Sequence, residues 1–393
     1  MSAGIVVVGG GMAGCATAWA LAEAGEACTV VESAHPGNSG GGSSGTSRMF
    51  RRMYSDPYYA RLAQASLDAW RDLETDSRTT LLDDCGLLFF GDRGAEDSIE
   101  GNIPGARRVM RERSLPFDAP DAAAIAARWP LRPPEGSEGL FEATAGTLRS
   151  RRALEVMAGR AVRAGTVFLN NETVVAVRRP ARRGQPLEVS LESGRALQAD
   201  RLVLAAGAWT NRLLAHLGLR VRIELWGMLW AHYAVDPALA AHYPQWFCFT
   251  PPRGADEGLY YGFPAEGSPP LVKTGVDWCP PAMRAAEPDE LPTAPDPGVA
   301  RCLDSFLRTR LVGVGECVGR HISPYAMTAD NGFILDTLPS DPRIAVFAGD
   351  CGHAFKFAPV LGRLLADLAT GRRPATDRAP LRITRPAVAL SAI

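Results

Sequence analysis

Lysine is almost missing from this chain: of 42 basic residues only Lys273 and Lys356 are lysine, and the rest are arginine. Most exposed cationic positions accept either residue, so sites that keep a compact, strongly hydrated ammonium are candidates for chemistry that a planar guanidinium does not serve. The plainer alternative is that two leftovers need no cause. An excess of charge is also lacking, with 43 acidic residues against the 42 basic ones and a net charge of −1. That balance leaves no electrostatic footprint for nucleic acid. No apolar run reaches the roughly 18 residues that a membrane-spanning helix needs. The eight cysteines show neither CxxC nor zinc-like spacing, which argues against a metal site or a disulfide framework and for reduced thiols in the cytoplasm. No Lys or Arg precedes Arg48, so the apolar N-terminus lacks the charged leader of a signal peptide. Internal repeats are absent, and the tail after Gly371 carries no pattern or targeting signal.

What is present begins at the N-terminus. The apolar run Ile5-Val6-Val7-Val8 leads into Gly9-Gly10-Gly11-Met12-Ala13-Gly14, a helix-like segment follows to Gly25, and a second apolar run, Thr29-Val30-Val31, ends on Glu32. Strand, glycine turn, helix, strand and acid in this order make a dinucleotide-binding βαβ unit. Gly9 allows the tight turn, Gly11 lets a pyrophosphate approach the backbone, and Gly14 lets the helix press on the sheet. The helix N-terminus offers unpaired N–H groups to phosphates, and Glu32 can accept hydrogen bonds from a ribose. Around it, 393 residues are long for one core and suit two connected domains.

The Gly/Ser run from Pro36 to Ser47 reads as a loop over the pyrophosphate, and Arg48, Arg51 and Arg52 after it as either solvated charges or an anion-binding cluster. Apolar spacings of three and four predict a helix over about 58–73. Strands are expected at 85–91, 166–169, 173–177, 187–191, 196–197, 199–206, 225–235, 259–264, 271–275, 333–336 and 344–349. Helices are expected over 154–164, 298–309 and 359–368, and a mixed, proline-punctuated segment over 92–148. Small residues at Ala205-Ala206-Gly207-Ala208 would let a cofactor backbone pass closely, or simply make a turn.

Taken together, these segments resemble the D-amino-acid-oxidase-like flavoproteins, and within them the monomeric sarcosine oxidase and N-methyltryptophan oxidase group. The resemblance spans nearly the whole chain. It is carried by the N-terminal fingerprint, Ser47-Arg48-x-x-Arg51 with Tyr54, Leu204 to Trp209, Tyr260-Tyr261-Gly262-Phe263-Pro264, Lys273, and Thr328-x-Asp330-x-x-Phe333 to Asp336. Its most specific part is Ala348-Gly349-x-x-Gly352-His353-x-Phe355-Lys356-Phe357. Both lysines thus fall on family positions.

The resemblance implies an α/β fold: a discontinuous Rossmann-like FAD-binding domain (1–84, 150–218, 322–393) and a substrate domain with a large mixed β-sheet (85–149, 219–321). It implies FAD held by Gly9, Gly11, Met12, Ala13, Gly14, Glu32, Ser33, Ser43, Ser47, Arg48, Val174, Ala206, Gly207, Trp209, Gly349, Gly352, His353, Phe355 and Lys356. Arg51 and Lys356 match positions that clamp the substrate carboxylate, and Tyr261 and Tyr325 match the cavity wall. Lys273 matches the ammonium that activates O₂, and Arg48 an arginine against the flavin. A cation or helix N-terminus there would stabilise charge on reduced flavin or on superoxide.

Two departures stand out. The group tethers FAD through a cysteine two residues before the aromatic cavity residue, and that position here is Ser323; Cys317 lies six residues too early. A serine hydroxyl is too weak a nucleophile for that bond, so FAD is expected to be non-covalent. Four residues after Lys273 the group has a histidine, whereas this chain has Asp277, which would favour a cationic amine or deter an anion. The aromatic residues Trp226, Trp230, Trp246, Phe247, Phe249, Tyr260 and Tyr261 suggest a substrate larger and flatter than sarcosine, although core packing explains them as well. His353 is either a base or a turn-packing residue.

The expected function is FAD-dependent oxidation of the C–N bond in a secondary, cyclic or aromatic α-amino or imino acid, with O₂ reduced to H₂O₂ and Lys273, Arg48 and Asp277 as catalytic groups. A role in secondary metabolism fits the departures. One alternative is a flavin that polarises an indole- or quinoline-type acid without net redox turnover. Another is a dehydrogenase with a different electron acceptor. The expected partners are the small amino or imino acid and O₂, with no nucleic acid, membrane or metal. The chain is expected to be a monomer or weak homo-oligomer.

Overall fold

The computed structural model describes residues 4–91, 101–180, 182, 184–250 and 258–392. Within the mixed segment expected over 92–148, residues 92–100 lie outside this set. The first apolar run forms the strand Gly4–Val8 in the middle of an eight-stranded sheet. The order is Ile334–Leu338, Asp341–Ala348, Ala196–Leu204, Gly4–Val8, Cys28–Glu32, Val167–Asn170, with the hairpin strands Val174–Arg178 and Leu187–Leu191 branching from Ala196–Leu204. From Asp341–Ala348 to Val167–Asn170 every contact is parallel. Parallel strands are covered on both faces and need nearly continuous apolar runs, and Val6, Val7, Val8, Val30, Val31, Leu202, Val203 and Leu204 are all buried.

The helix Met12–Glu23 is buried without interruption from Met12 to Leu21, because it lies between the sheet and the helices Ser150–Arg163 and Ala358–Thr370. Gly9 and Gly14 make its entry possible. Gly9 has φ +104°, and a Cβ on Gly14 would stand 1.7 Å from the Gly9 carbonyl oxygen. The amphipathic helix Pro57–Ser77 starts on Asp56, whose carboxylate accepts from the Tyr58 N–H at 2.7 Å, and stops at Arg78 in the left-handed region.

A second eight-stranded sheet runs Arg284–Ala285, Glu224–Val235, Leu271–Val276, Leu259–Glu266, Gln245–Phe249, Leu87–Gly91, Glu138–Glu142, and Val314–Met327 also pairs with Glu224–Val235. It is antiparallel except between Gln245–Phe249 and Leu87–Gly91. The longer strands not expected from sequence include Glu138–Glu142, Gln245–Phe249 and Val314–Met327, and the short strands Ser47–Phe50, Leu82–Asp83, Gly146–Arg149, Leu219–Arg220, Arg284–Ala285 and Ser391–Ala392 were not expected either. Val314–Met327 contains Gly315, Gly319 and Pro324, which break any alternation, and it is a strand because it pairs along Glu224–Val235. The domain boundary expected at 321/322 falls inside it. Ser47–Phe50, Gly146–Arg149 and Leu82–Asp83 form a small third sheet.

The patternless tail is fixed by ion pairs, Arg378 with Asp336 and Arg385 with Asp330, and Ser391–Ala392 pairs with Leu219–Arg220. No described helix is long and apolar enough to cross a membrane.

Candidate active site

The end of Gly4–Val8, the Gly/Ser loop and the inner face of the second sheet enclose a cavity of about 720 Å³. One end is mostly backbone and small side chains, Gly9, Gly11, Ala13, Ser33, Ser43, Val174, Ala206 and Gly207, with the larger Met12, Glu32 and Trp209 among them. Gly11 caps the helix Met12–Glu23 without a side-chain bond, so the helix N-terminus opens into the cavity. The Gly/Ser loop does fold over this turn, and Ser43 Oγ accepts from the Met12 N–H at 2.9 Å. Glu32 is held by the N–H groups of Gly10 (2.6 Å) and Ala34 (3.0 Å) and by Asn38 Nδ2 (3.3 Å). These residues fit a dinucleotide: a helix N-terminus that opens into the cavity for phosphates, with Ser43 on its first N–H, and a positioned carboxylate at the end of the second strand.

The other end is charged and aromatic, and both lysines reach it. Lys273 projects from Leu271–Val276, and its Nζ donates to the Ser47 carbonyl at 3.3 Å. Burial, reinforced by Arg48, pulls this ammonium down to about 7, while Glu266 opposes the fall. Lys356 sits in the turn before Ala358–Thr370; Nζ donates to the His353 carbonyl at 3.1 Å, and its own carbonyl accepts from Ser66 Oγ and Trp70 Nε1. Burial lowers Lys356 to about 8, with Arg51 adding to the fall and Tyr54 and Asp277 opposing it.

Arg48 donates to the carbonyls of Ser47 and Gly42, each at 2.8 Å. Burial lowers it, against the raising influence of Tyr325, Tyr261 and Asp350. Asp277 lines the same wall, and its Oδ2 is buried with no hydrogen-bond partner. Burial raises its carboxyl to about 6, while Arg51 and Lys356 pull the other way.

Tyr261, Tyr325, Gly352, His353 and Phe355 also line the cavity, whereas Arg51, Gly14, Ser47 and Gly349 do not. Arg51 lies behind the wall, fully buried, with its guanidinium 3.9 Å from the Tyr54 ring centroid and Nη1 donating to the Met53 carbonyl. Arg52 leaves the expected cluster altogether. It forms a buried pair with Glu142 (Nε to Oε1, 2.6 Å), and its backbone N–H donates to the other Glu142 oxygen at 2.9 Å.

Two contacts of its ring nitrogens hold His353 in the turn. Its Nε2 lies 3.4 Å from the Asn331 carbonyl, which can only accept, so Nε2 carries the hydrogen and Nδ1 accepts from Tyr54 Oη at 3.3 Å. Burial, with Lys356 and Arg51 close by, holds the ring neutral, well below its ordinary range.

The aromatic residues divide by strand alternation. Phe247, Tyr261, Phe263 and Trp230 face the cavity. Trp246 and Tyr260, one residue away on their strands, face away from the cavity into the core on the other side of the sheet and stack on Phe306 (5.9 and 3.8 Å between centroids). Phe249 packs in the core under Leu87–Gly91, and Trp226 lies beside Arg284.

Among the wall residues that the sequence alone does not single out are Phe263 and Asp350. Phe263 was visible only as part of a motif. Asp350 accepts from the N–H groups of Gly352 (3.0 Å) and Ala326 (3.3 Å), tying the lysine-bearing turn to Val314–Met327 beside Arg48. Ser323 stands in the wall and accepts from Trp230 Nε1 at 2.9 Å, and Cys317 is not among the lining residues.

Comparison with known proteins agrees with this geometry. The profile of the family described as "DAO: FAD dependent oxidoreductase" matches residues 4–368. Human peroxisomal sarcosine oxidase is 31% identical, over 97% of this chain and 95% of its own. N-methyl-L-tryptophan oxidase of Salmonella heidelberg is 29% identical, over 97% of this chain and 98% of its own. The solved open form of NikD, described as an unusual amino acid oxidase essential for nikkomycin biosynthesis, superposes with a TM-score of 0.87 at 31% identity, covering 99% of this chain and 98% of NikD. L-proline dehydrogenase from P. horikoshii, at 19% identity and a TM-score of 0.78, shares the fold.

Proposed function

This chain belongs to the DAO family of FAD-dependent oxidoreductases, with that family's two-domain α/β architecture, and on that premise we propose that it oxidises the C–N bond of a secondary, cyclic or aromatic α-amino or imino acid, with O₂ as acceptor and H₂O₂ as product. The observation that carries the reading is that both lysines of the chain meet at one cavity, whose far end is the glycine turn. The relatives named as sarcosine, N-methyl-L-tryptophan and amino acid oxidases support the substrate class.

In this reading FAD is held by the glycine turn, Glu32, Ser33, Ser43, Val174, Ala206, Gly207 and Trp209 at one end and by Arg48, Gly352, His353 and Phe355 at the other. Gly14, Ser47 and Gly349 serve it indirectly, through the turn and the loops they shape. The bound flavin would supply the two-electron chemistry, accepting the hydride from the carbon of the C–N bond while the nitrogen gives up a proton, and passing two electrons with two protons to O₂. Lys356 binds the substrate carboxylate, with Arg51 behind it adding positive potential through the wall, since a carboxylate taken into a dry cavity needs cations close by. Asp277, with an oxygen free of partners, accepts a hydrogen bond or proton from the substrate nitrogen. Tyr261 and Tyr325 shape the wall, and the ammonium of Lys273 stabilises the anion formed as oxygen is reduced.

Ser323 at the tether position supports non-covalent FAD. The cofactor unit is assigned to 1–84, 150–218 and 322–393 and the substrate unit to 85–149 and 219–321, with Val314–Met327 crossing between them. A monomer or weak homo-oligomer in the cytoplasm, with a role in secondary metabolism, completes the reading.

The test is anaerobic mixing of the yellow protein with a panel of secondary and cyclic amino acids. Bleaching by at least one member, followed by peroxide on admitting air, is the expected result. Product formation with persistent colour would overturn the oxidase reading, and bleaching without oxygen uptake would transfer it to another acceptor.

A further inference from the structure

We propose that Trp230 and Phe263 form an aromatic slot that keeps Lys273 charged inside the cavity, and that Ser323 and His321 lock the Trp230 wall of that slot. The inference rests on the reading of Lys273 as the oxygen-side cation, but its test does not depend on that reading. Lys273 Nζ stands 4.9 Å from the Trp230 ring centroid and 4.9 Å from that of Phe263. Its hydrogen bond to the Ser47 carbonyl satisfies one of three N–H groups, and the ring faces present negative quadrupole to the rest of the ammonium.

Trp230 is itself held on two sides. Its Nε1 donates to Ser323 Oγ at 2.9 Å, and its ring stacks on His321 with centroids 4.2 Å apart and planes 22° from parallel. Strand register produces this column: Trp230 lies opposite His321 on one side and Gly275 on the other, and His232 pairs with Lys273. The serine at the expected tether position therefore has work of its own, fixing an indole.

The other charged and titratable groups facing Lys273 are Arg48 from Ser47–Phe50, Glu266 from the end of Leu259–Glu266, and His232 from Glu224–Val235, with His321 beyond the indole. Arg48 opposes the ammonium and Glu266 favours it. Burial, followed by Lys273 and His321, lowers His232 and so keeps it neutral. The rings are thus the uncharged support that offsets desolvation of the ammonium.

The scarcity of lysine makes the test direct. FAD-loaded protein labelled with ¹³C-lysine gives two side-chain Cε signals, and Lys273→Met identifies one of them. In a pH titration, Trp230→Leu and Phe263→Leu should each lower the Lys273 midpoint by roughly half to one pH unit. Trp230→Phe, which keeps a ring, should restore most of the shift, and the Lys356 midpoint should stay in place. If Trp230→Leu does not fold, Ser323→Ala frees the indole and should give a smaller fall in the same direction. An unchanged or raised Lys273 midpoint in the folded variants would overturn the slot. Failure of the oxygen-side reading would show elsewhere, in unimpaired reoxidation of Lys273→Met.

Discussion

The two ends of the cavity are built on opposite principles. At the glycine turn, recognition comes from backbone: a helix N-terminus, small residues and one carboxylate fixed by N–H groups. At the lysine end it comes from side chains sent in by separate segments and held where burial shifts their pKa, Lys273 down to about 7, Lys356 down to about 8 and Asp277 up to about 6. The first arrangement tolerates no extra atoms. The second responds to changes of charge and to loss of the rings that support it. Damage at the glycine end should therefore remove the cofactor, and damage at the lysine end should leave it bound and alter one step.

The sharpest break is Gly14→Val, because a Cβ there would meet the Gly9 carbonyl oxygen at 1.7 Å. The expected outcome is a protein without yellow colour, or no folded protein at all, read from the ratio of flavin to protein absorbance. Retained flavin at wild-type level would contradict the backbone account.

Lys356→Met keeps the length of the side chain and should keep FAD. It removes the cavity-lining cation of the substrate clamp, so binding of a non-reactive aromatic carboxylate should weaken by about 100-fold, measured by perturbation of the flavin spectrum. A change below about threefold would remove Lys356 from the clamp.

Asp277→Asn is a smaller change and shows itself in pH dependence. With the group raised to about 6, the carboxylate is complete above pH 7 and is lost as pH falls through 6. The wild-type kcat/KM should therefore decline on the acid side of pH 6, and the variant should lose that limb. An acid limb that persists unshifted would assign it to another group.

Ser323→Cys should affect turnover least of all. It restores the residue of the related tethered enzymes, and part of the flavin should then stay with the pellet after acid precipitation, whereas the wild type should release all of it. Wild-type flavin that stays in the pellet would contradict non-covalent binding.

The same contrast decides what could be read from sequence. The heart of the glycine end lies within residues 4–32, where strand, turn, helix and acid follow one another in the order they occupy in space, and Ser43, Val174 and Ala206 to Trp209 are added from later segments. The lysine end is assembled from Ser47–Phe50, Glu224–Val235, Leu271–Val276, Val314–Met327 and the turn around Lys356, and only resemblance to a family brought those together. Alternation says that Phe247 and Trp246 face opposite ways, but it does not say which face is the cavity. Asp350 gave no local signal, since its role is to bind N–H groups of two segments more than twenty residues apart in sequence. Arg51 and Arg52 look alike by residue type; resemblance to the family singles out Arg51, and the fold shows that Arg52 is instead the buried partner of Glu142.

The central claim is that the two lysines serve one flavin in different steps, and stopped-flow kinetics on Lys273→Met tests it most directly. Flavin reduction by substrate without oxygen should proceed within about twofold of the wild type, while reoxidation by O₂ slows by about 100-fold or more. Slow reduction together with normal reoxidation would contradict the division of labour.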